Sequence, residues 1–133
     1  MRESFRFETG PIQEVSWGRF VIKGREHAKR SDGTIIGAGK DIRLIGEHLE
    51  SWSERRGHRL TMEMVEKAVQ ADIDTLIIGN GFLGAVEVPE EVKEFIRRQG
   101  KELIVATTPE ACRMYNERFR RGEKVALLAH GTC

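Results

Sequence analysis

The segment His130-Gly131-Thr132-Cys133 places an imidazole, a hydroxyl and a thiol close together in the sequence. A thiol beside a histidine can act as a nucleophile, a redox group or part of a metal site, because the imidazole favours the thiolate. One histidine and one cysteine are only half of a tetrahedral zinc set, and the sequence has no C-x-x-C pair to complete it. We therefore treat His130 and Cys133 as weak thiol candidates beside a favoured structural role, and predict no catalytic residue, no metal and no cofactor. Cys112 lies on the apolar side of a predicted helix and is expected in the core.

A G-x-G-x-x-G pattern, Gly79 to Gly84, follows an apolar run that predicts a buried strand. In dinucleotide-binding folds such glycines let the backbone approach a pyrophosphate, which rests on the next helix N-terminus. Here residues 85–89 look extended, and the next strand ends without the acidic residue that would hold a ribose. Two interpretations remain: a turn that needs glycine for its backbone geometry, and a loop whose amides bind a small anionic or polar ligand. The ligand-binding candidates are Gly79, Asn80, Gly81, Thr107 and Thr108.

Two basic segments are weaker signals. Gly37-Ala38-Gly39-Lys40-Asp41 is similar to the end of a phosphate-binding P-loop, but position 34 is not glycine and Asp41 replaces the metal-binding hydroxyl. We expect a turn there. Arg55-Arg56-Gly57-His58-Arg59 has acidic neighbours that balance its charge, so a solvated surface is favoured over a phosphate groove.

Large aromatic side chains are the candidates for a partner interface. Tryptophan is frequent both in cores and among the few residues that anchor protein–protein interfaces. Phe82 and Leu83 form an apolar pair inside a predicted loop, where no core contact is obvious. The interface candidates are Trp17, Trp52 and Phe82.

The elements that must position these residues differ between the two halves of the chain. Before residue 60, short alternating runs and the Ser31-Asp32-Gly33 turn predict antiparallel strands and hairpins. After residue 60, three apolar runs without polar alternation predict strands covered on both faces, and amphipathic segments between them predict helices. Short connections of this kind imply parallel βαβ units. The runs are 73–78, 103–106 and 125–129. We predict a three-layer α/β domain spanning residues 1–133, with a mixed central sheet that also contains antiparallel strands from the first half.

Composition restricts the function classes. The chain has 133 residues, with 22 Lys+Arg against 21 Asp+Glu, and a formal net charge of +1. This balance disfavours a nucleic-acid or membrane-surface partner. No apolar run approaches the roughly 18 residues of a membrane helix. The segment MRESFRFETG lacks the apolar stretch of a signal peptide, and two cysteines make no disulfide framework. We expect a cytoplasmic protein and regard a homodimer as possible.

Five motifs in a fixed order carry a family resemblance. They are Ser16-Trp17-Gly18, Ile77-Ile78-Gly79-Asn80-Gly81, Thr108-Pro109-Glu110-Ala111, Tyr115-Asn116 and His130-Gly131-Thr132-Cys133. The set resembles a small single-domain family that includes the adipogenesis-associated domain protein of animals and, more distantly, the mitochondrial assembly factor three for respiratory complex I. Trp52 with Arg56-Gly57-His58 adds a weaker match to its bacterial and archaeal branch. The resemblance implies a three-layer α/β fold and no established catalytic residue.

Two functions follow as hypotheses. The absence of a complete catalytic set in the sequence, together with the assembly-factor branch of the resembled family, favours a non-catalytic protein-interaction or assembly module with a protein partner. The alternative is a small-ligand-binding protein or enzyme that uses the Gly79–Gly84 loop and the C-terminal ends of the strands, where open α/β sheets place their ligands.

Overall fold

The computed structural model describes residues 3–133, so Met1 and Arg2 of the N-terminal segment lie outside the described residues. Ten strands and three helices form in this range: β1 (Ser4–Arg6), β2 (Ile12–Ser16), β3 (Arg19–Ile22), β4 (Arg25–Lys29), β5 (Ile35–Ile36), β6 (Ile42–Ile45), β7 (His48–Ser51), α1 (Met62–Val69), β8 (Thr75–Gly79), α2 (Glu90–Arg98), β9 (Glu102–Ala106), α3 (Thr108–Arg120) and β10 (Val125–Ala129).

The central sheet has the strand order β7-β6-β10-β8-β9. Strands β9, β8 and β10 are parallel neighbours, whereas β6 and β7 add to β10 in the antiparallel direction. The three apolar runs therefore lie side by side, and the α/β class with a mixed central sheet is confirmed. The topology places β10 in the middle, between strands from both halves of the chain.

Burial on both faces explains why the central strands lack polar alternation. On one face, Leu76 and Ile78 of β8 pack with residues of α1 and α2. On the other face, Ile77 packs with residues of α3 and of strands β2 and β3. Every residue of β8 and of β10 is buried. Side chains on both faces of these two strands are removed from water, so the sequence shows no alternation between apolar and polar residues. The expectation of two covered faces is wrong for residues 103–106, because β9 is an edge strand without a buried residue and Val105 is 36% exposed.

Strands β1 to β5 form a second, antiparallel sheet of their own. The sequence pattern predicts antiparallel strands in the first half but not their division between two sheets: only β6 and β7 join the central one. The separate sheet buries one face, and Ile12, Val15 and Phe20 lie in the core that it shares with α3. The predicted Asp-Gly turn connects β4 to β5. There the Thr34 amide donates to Asp32 at 2.9 Å and Gly33 has φ +90°.

Each helix begins at residues that suit a helix start. Thr61 precedes α1 and Pro89 precedes α2, while Pro109 lies in the first turn of α3. Each helix has an acidic side chain in its first turn, where the negative charge interacts favourably with the positive end of the helix dipole. None of the helices among residues 3–133 combines the length and the apolar character needed to span a bilayer.

Asn116 of α3 joins that helix to the second sheet. Its amide nitrogen donates to the Ile12 carbonyl at 2.7 Å, and its side-chain oxygen accepts from the Ile12 amide at 3.1 Å. Both residues are buried, Asn116 at 4% and Ile12 at 0% exposure. One side chain therefore satisfies the donor and the acceptor of a buried backbone unit at an irregular point of the β2–β3 pairing.

We expect Asn116→Ala to lower the free energy of unfolding by about 3 kcal/mol, because it leaves a buried amide and a buried carbonyl without partners. Urea unfolding followed by circular dichroism measures the change. Glu117→Ala on the same helix is the control, since it removes only an exposed ion pair with Arg113 and is expected to cost less than about 1 kcal/mol. Equal losses in the two variants would show that the Ile12 contacts do not contribute.

Candidate functional site

The edge of the central sheet where the parallel strands end also holds the start of antiparallel β6. Ala129, the last residue of β10, pairs with Ile42, the first residue of β6. The residues just beyond this pair, His130 and Asp41, are therefore neighbours, and His130 Nδ1 lies 2.9 Å from Asp41 Oδ1. The ring nitrogen donates and the carboxylate accepts, which fixes the orientation of the imidazole and leaves Nε2 facing away from the carboxylate.

Asp41 is held as an ionised group. Burial by itself raises its pKa, but hydrogen bonds from His130 and from the Gly131 amide, at 3.0 Å, favour the carboxylate. The Arg55 guanidinium, 2.8 Å from Oδ2, adds both a hydrogen bond and an opposite charge. The sum holds the pKa of Asp41 well below its ordinary value. The turn predicted at residues 37–41 therefore ends in an ionised carboxylate whose side chain is 13% exposed.

The second ring nitrogen of His130 lies close to a hydroxyl and a thiol. Its Nε2 lies 3.1 Å from Thr132 Oγ1 and 3.6 Å from Cys133 Sγ. On the other side of the thiol, His58 Nε2 lies 3.2 Å from Cys133 Sγ. His130 is buried, Cys133 is half-buried and His58 is exposed, so the cluster reaches from the core to solvent. Burial raises the pKa of Cys112, which lies in the core as expected.

Sequence reasoning missed Asp41, Arg55 and His58 as members of this cluster. The expectation of a solvated basic surface at 55–59 is wrong for Arg55, whose side chain is 12% exposed and bonded to Asp41. His58 lies in the loop between β7 and α1. Its carbonyl accepts from the Glu87 amide at 2.7 Å, and the Leu60 amide donates to the Glu87 carbonyl at 3.0 Å. These bonds fix the backbone that carries His58.

The glycine loop after β8 folds over residues 132–133. The Phe82 amide donates to the Thr132 carbonyl at 2.7 Å, and the amides of Leu83 and Ala85 both donate to the Cys133 carbonyl at 3.0 Å. Gly81 has φ +106°, and a Cβ there would lie 2.3 Å from the Cys133 carbonyl carbon. Glycine is thus required by conformation and by close approach. In this conformation the three amides bind the chain itself and are not open to an anion.

The structure brings the predicted ligand-binding residues together but gives them different surroundings. Thr108 is completely buried: its hydroxyl accepts from the Gly81 amide at 3.0 Å and donates to the His130 carbonyl at 2.6 Å. Gly79 packs against Thr108 and Ala111. Asn80 has a buried side-chain oxygen without a hydrogen-bond partner among the described residues. Thr107, in contrast, is exposed at the rim of a groove.

That groove has a volume of about 470 Å³ and lies on the outer side of the glycine loop. Phe82 is in its centre, with ring centroids 5.8 Å from Trp17 and 6.3 Å from Phe5. Leu83 projects beside them and is 76% exposed. The lining is completed by Glu3, Thr107, Pro109 and Glu110. Two of the three interface candidates, Trp17 and Phe82, thus share one accessible apolar surface.

Trp52, the third interface candidate, is a core residue. It is 1% exposed, packs in the cluster that contains residues of α1, and its indole nitrogen donates to the Met64 carbonyl at 2.8 Å. Its side chain therefore offers almost no surface to a partner, in contrast to Trp17 and Phe82.

The sequence profile of the family described as "Protein of unknown function (DUF498/DUF598)" matches residues 12–130. The chain belongs to this family. The matched range contains Asp41, His58 and His130, whereas Cys133 lies just beyond it.

Solved structures share the fold. The chain is similar to the conserved hypothetical protein PH1505 of Pyrococcus horikoshii, at 27% identity and a TM-score of 0.70, over 92% of this chain and 98% of that one. It is similar to a Bartonella henselae protein described as an outer membrane protein, at 20% identity and a TM-score of 0.73, over 97% and 99% of the two chains. Xanthomonas campestris XCC1710 matches at 12% identity and a TM-score of 0.60, over 97% and 85%.

We expect Asp41→Asn to lower the free energy of unfolding by about 3 kcal/mol at pH 7, because it leaves the largely buried Arg55 guanidinium without its carboxylate partner. The pKa of Asp41 is lower in the folded than in the unfolded state. Its contribution is therefore complete above the unfolded pKa of about 4 and is lost as the pH falls toward the folded value. The difference in the free energy of unfolding between wild type and variant should decrease below about pH 4. Urea unfolding at a series of pH values measures it.

The matched control is Asp72→Asn, which changes a carboxylate that is 89% exposed and pairs only with exposed Lys124. It should shift the stability by less than about 1 kcal/mol at every pH. A loss in Asp41→Asn no larger than that of the control would contradict the stabilising role of the Asp41 carboxylate.

Proposed function

We propose that this protein is a protein-interaction module that binds a partner through the groove around Phe82. The observation that carries the proposal is the pairing of an aromatic floor with Leu83, an exposed leucine that makes up one wall. The partner would insert one bulky apolar side chain, and that side chain would be flanked by Lys or Arg.

The apolar part of the proposal rests on the cost of exposing this surface to water. Burying a large apolar side chain contributes about 1.5–3 kcal/mol, and aromatic contacts add to this. A stable interface covers about 800 Å² on each partner, with a few deeply inserted side chains supplying most of the energy. The groove fits the role of such an anchoring pocket within a larger contact.

The charged part rests on the groove rim. Its two ionisable side chains are both acidic, Glu3 beside β1 and Glu110 in the first turn of α3. Glu110 is partly neutralised by Arg113, whereas Glu3 is exposed. An acidic rim attracts a basic residue next to the inserted side chain and disfavours an acidic one. It also disfavours a second copy of the same groove, so a homodimer would have to use another surface.

The family resemblance supports the same class of function. The complex I assembly factor to which the sequence is similar works through protein partners, and an assembly-type role is the form of the proposal that this resemblance favours. The alternative, a small anionic ligand bound by the glycine loop, has less support because the loop amides bind residues 132–133. A cytoplasmic location stays a prediction.

Peptide display on the immobilised full chain tests the groove. We expect enrichment of peptides that combine a bulky apolar residue with an adjacent Lys or Arg. Leu83→Asp should raise the Kd of such a peptide at least about tenfold in fluorescence polarisation, since it places a charge in the pocket. Leu83 is exposed, so the substitution leaves the core unchanged.

The control is Met62→Asp, which makes the same kind of change at another exposed apolar residue, 49% exposed at the start of α1. The Kd of the enriched peptide for this variant should equal its Kd for the wild type. Glu110→Gln should weaken the binding of basic peptides and leave the binding of neutral apolar peptides unchanged. Enriched peptides without the apolar-and-basic pattern, or undiminished binding to Leu83→Asp, would refute the proposed docking.

A further inference from the structure

Three side chains on the inner side of the glycine loop point their donor atoms at a common space. One ligand atom from each of His58, His130 and Cys133 lies within 4.8 Å of the other two, and the nitrogen that faces the thiol is Nε2 in both histidines. The rings of the two histidines are nearly perpendicular, at 83°, with centroids 6.1 Å apart. The imidazoles thus approach the thiol from different directions and do not stack. From this geometry we infer that His58, His130 and Cys133 form a binding site for a thiophilic divalent cation, with Zn²⁺ as the fitting ion. This site is separate from the proposed docking groove.

The spacing between the thiol and each imidazole matches what zinc requires. Zinc forms bonds of about 2.0 Å to imidazole nitrogen and about 2.3 Å to thiolate sulfur, so a tetrahedral ion separates its ligand atoms by roughly 3.3–3.6 Å. The two nitrogen-to-sulfur distances are 3.2 and 3.6 Å. The ligand atoms of the two histidines lie within 4.8 Å of each other, and rotation of the exposed His58 side chain can bring them to the spacing of a bound ion. The combination of two imidazoles and a thiolate also favours zinc over magnesium or calcium, which prefer oxygen ligands.

The residues behind the donors hold them as a metal site needs. Zinc-binding histidines commonly donate their second ring nitrogen to a carboxylate, which fixes the tautomer and strengthens the ligand. His130 has this arrangement, because its Nδ1 donates to Asp41 and leaves Nε2 for the ion. Asp41 is itself held by Arg55 and by the Gly131 amide. Cys133 is held through its carbonyl by the amides of Leu83 and Ala85.

One contact must change when the ion binds. The Thr132 hydroxyl, 3.1 Å from His130 Nε2, donates to the same lone pair that the ion would use. Thr132 is half-buried, so rotation of its side chain can transfer this hydrogen bond to solvent. With three protein ligands, the fourth position is open on the exposed His58 side, as in zinc sites that bind water or a substrate.

Metal titration of the full chain, stripped of metal by a chelator, tests the inference. Isothermal titration should give one Zn²⁺ per chain, and Co²⁺ should produce a thiolate-to-metal charge-transfer band. Cys133→Ser should abolish the band. His58→Gln should weaken Zn²⁺ binding at least about tenfold. His58 is exposed, so this variant leaves the core intact. His48→Gln changes an exposed histidine outside the cluster and should bind as the wild type does.

Alkylation by iodoacetamide provides the second readout. Bound Zn²⁺ should protect Cys133, while Cys112, which is fully buried, serves as the unreactive reference in the same chain. Binding that survives unchanged in both Cys133→Ser and His58→Gln would overturn the inference, and so would the absence of stoichiometric Zn²⁺ binding. A Cys133 that reacts equally fast with and without Zn²⁺ would mark the cluster as a reactive thiol instead.

Discussion

The central position of β10 is the constraint on which the remaining structure depends. This strand is buried on both faces and hydrogen-bonded on both edges, in parallel to β8 and antiparallel to β6. Parallel pairing brings the C-terminal ends of β8 and β10 to the same end of the sheet. Antiparallel pairing brings the first residue of β6 to that end as well, so residues near positions 41, 80 and 130 meet there. A one-residue slip of β6 would turn its side chains to the opposite face and separate Asp41 from His130.

The fold could be predicted from the sequence because its signals are local. Runs of apolar residues, a proline near a helix start and an Asp-Gly turn each act within a few residues, and they identified the parallel strands, the helices and the β4–β5 hairpin. The separation of β1–β5 into a second sheet depends on which strands pair across long stretches of sequence. Nothing in the pattern of Phe20 or Ile22 specifies that their partner surface is α3 and not the edge of the central sheet.

Only part of the candidate site could be predicted, because its members are far apart in the sequence. His130 and Cys133 were noticed because they are near each other in sequence, whereas Asp41 and His58 join them through pairing that spans 89 and 75 residues. One signal was present: Asp41 directly precedes the mostly apolar segment Ile42-Arg43-Leu44-Ile45, as His130 directly follows an apolar run. Polar residues that border buried strands are candidates for the same sheet edge. The glycine pattern left two interpretations open, and at Gly81 the structure shows a geometric requirement in which the backbone approaches residue 133 of the same chain.

The glycine loop links the two proposed sites mechanically. On its outer side it carries Phe82 and Leu83 into the groove; on its inner side the amide of Leu83 binds the carbonyl of Cys133. The backbone of one residue therefore contacts the thiol segment while its side chain forms the wall of the groove. If a cation binds Cys133 as proposed, the Leu83 amide that donates to the Cys133 carbonyl connects the metal ligand directly to the backbone of the groove wall.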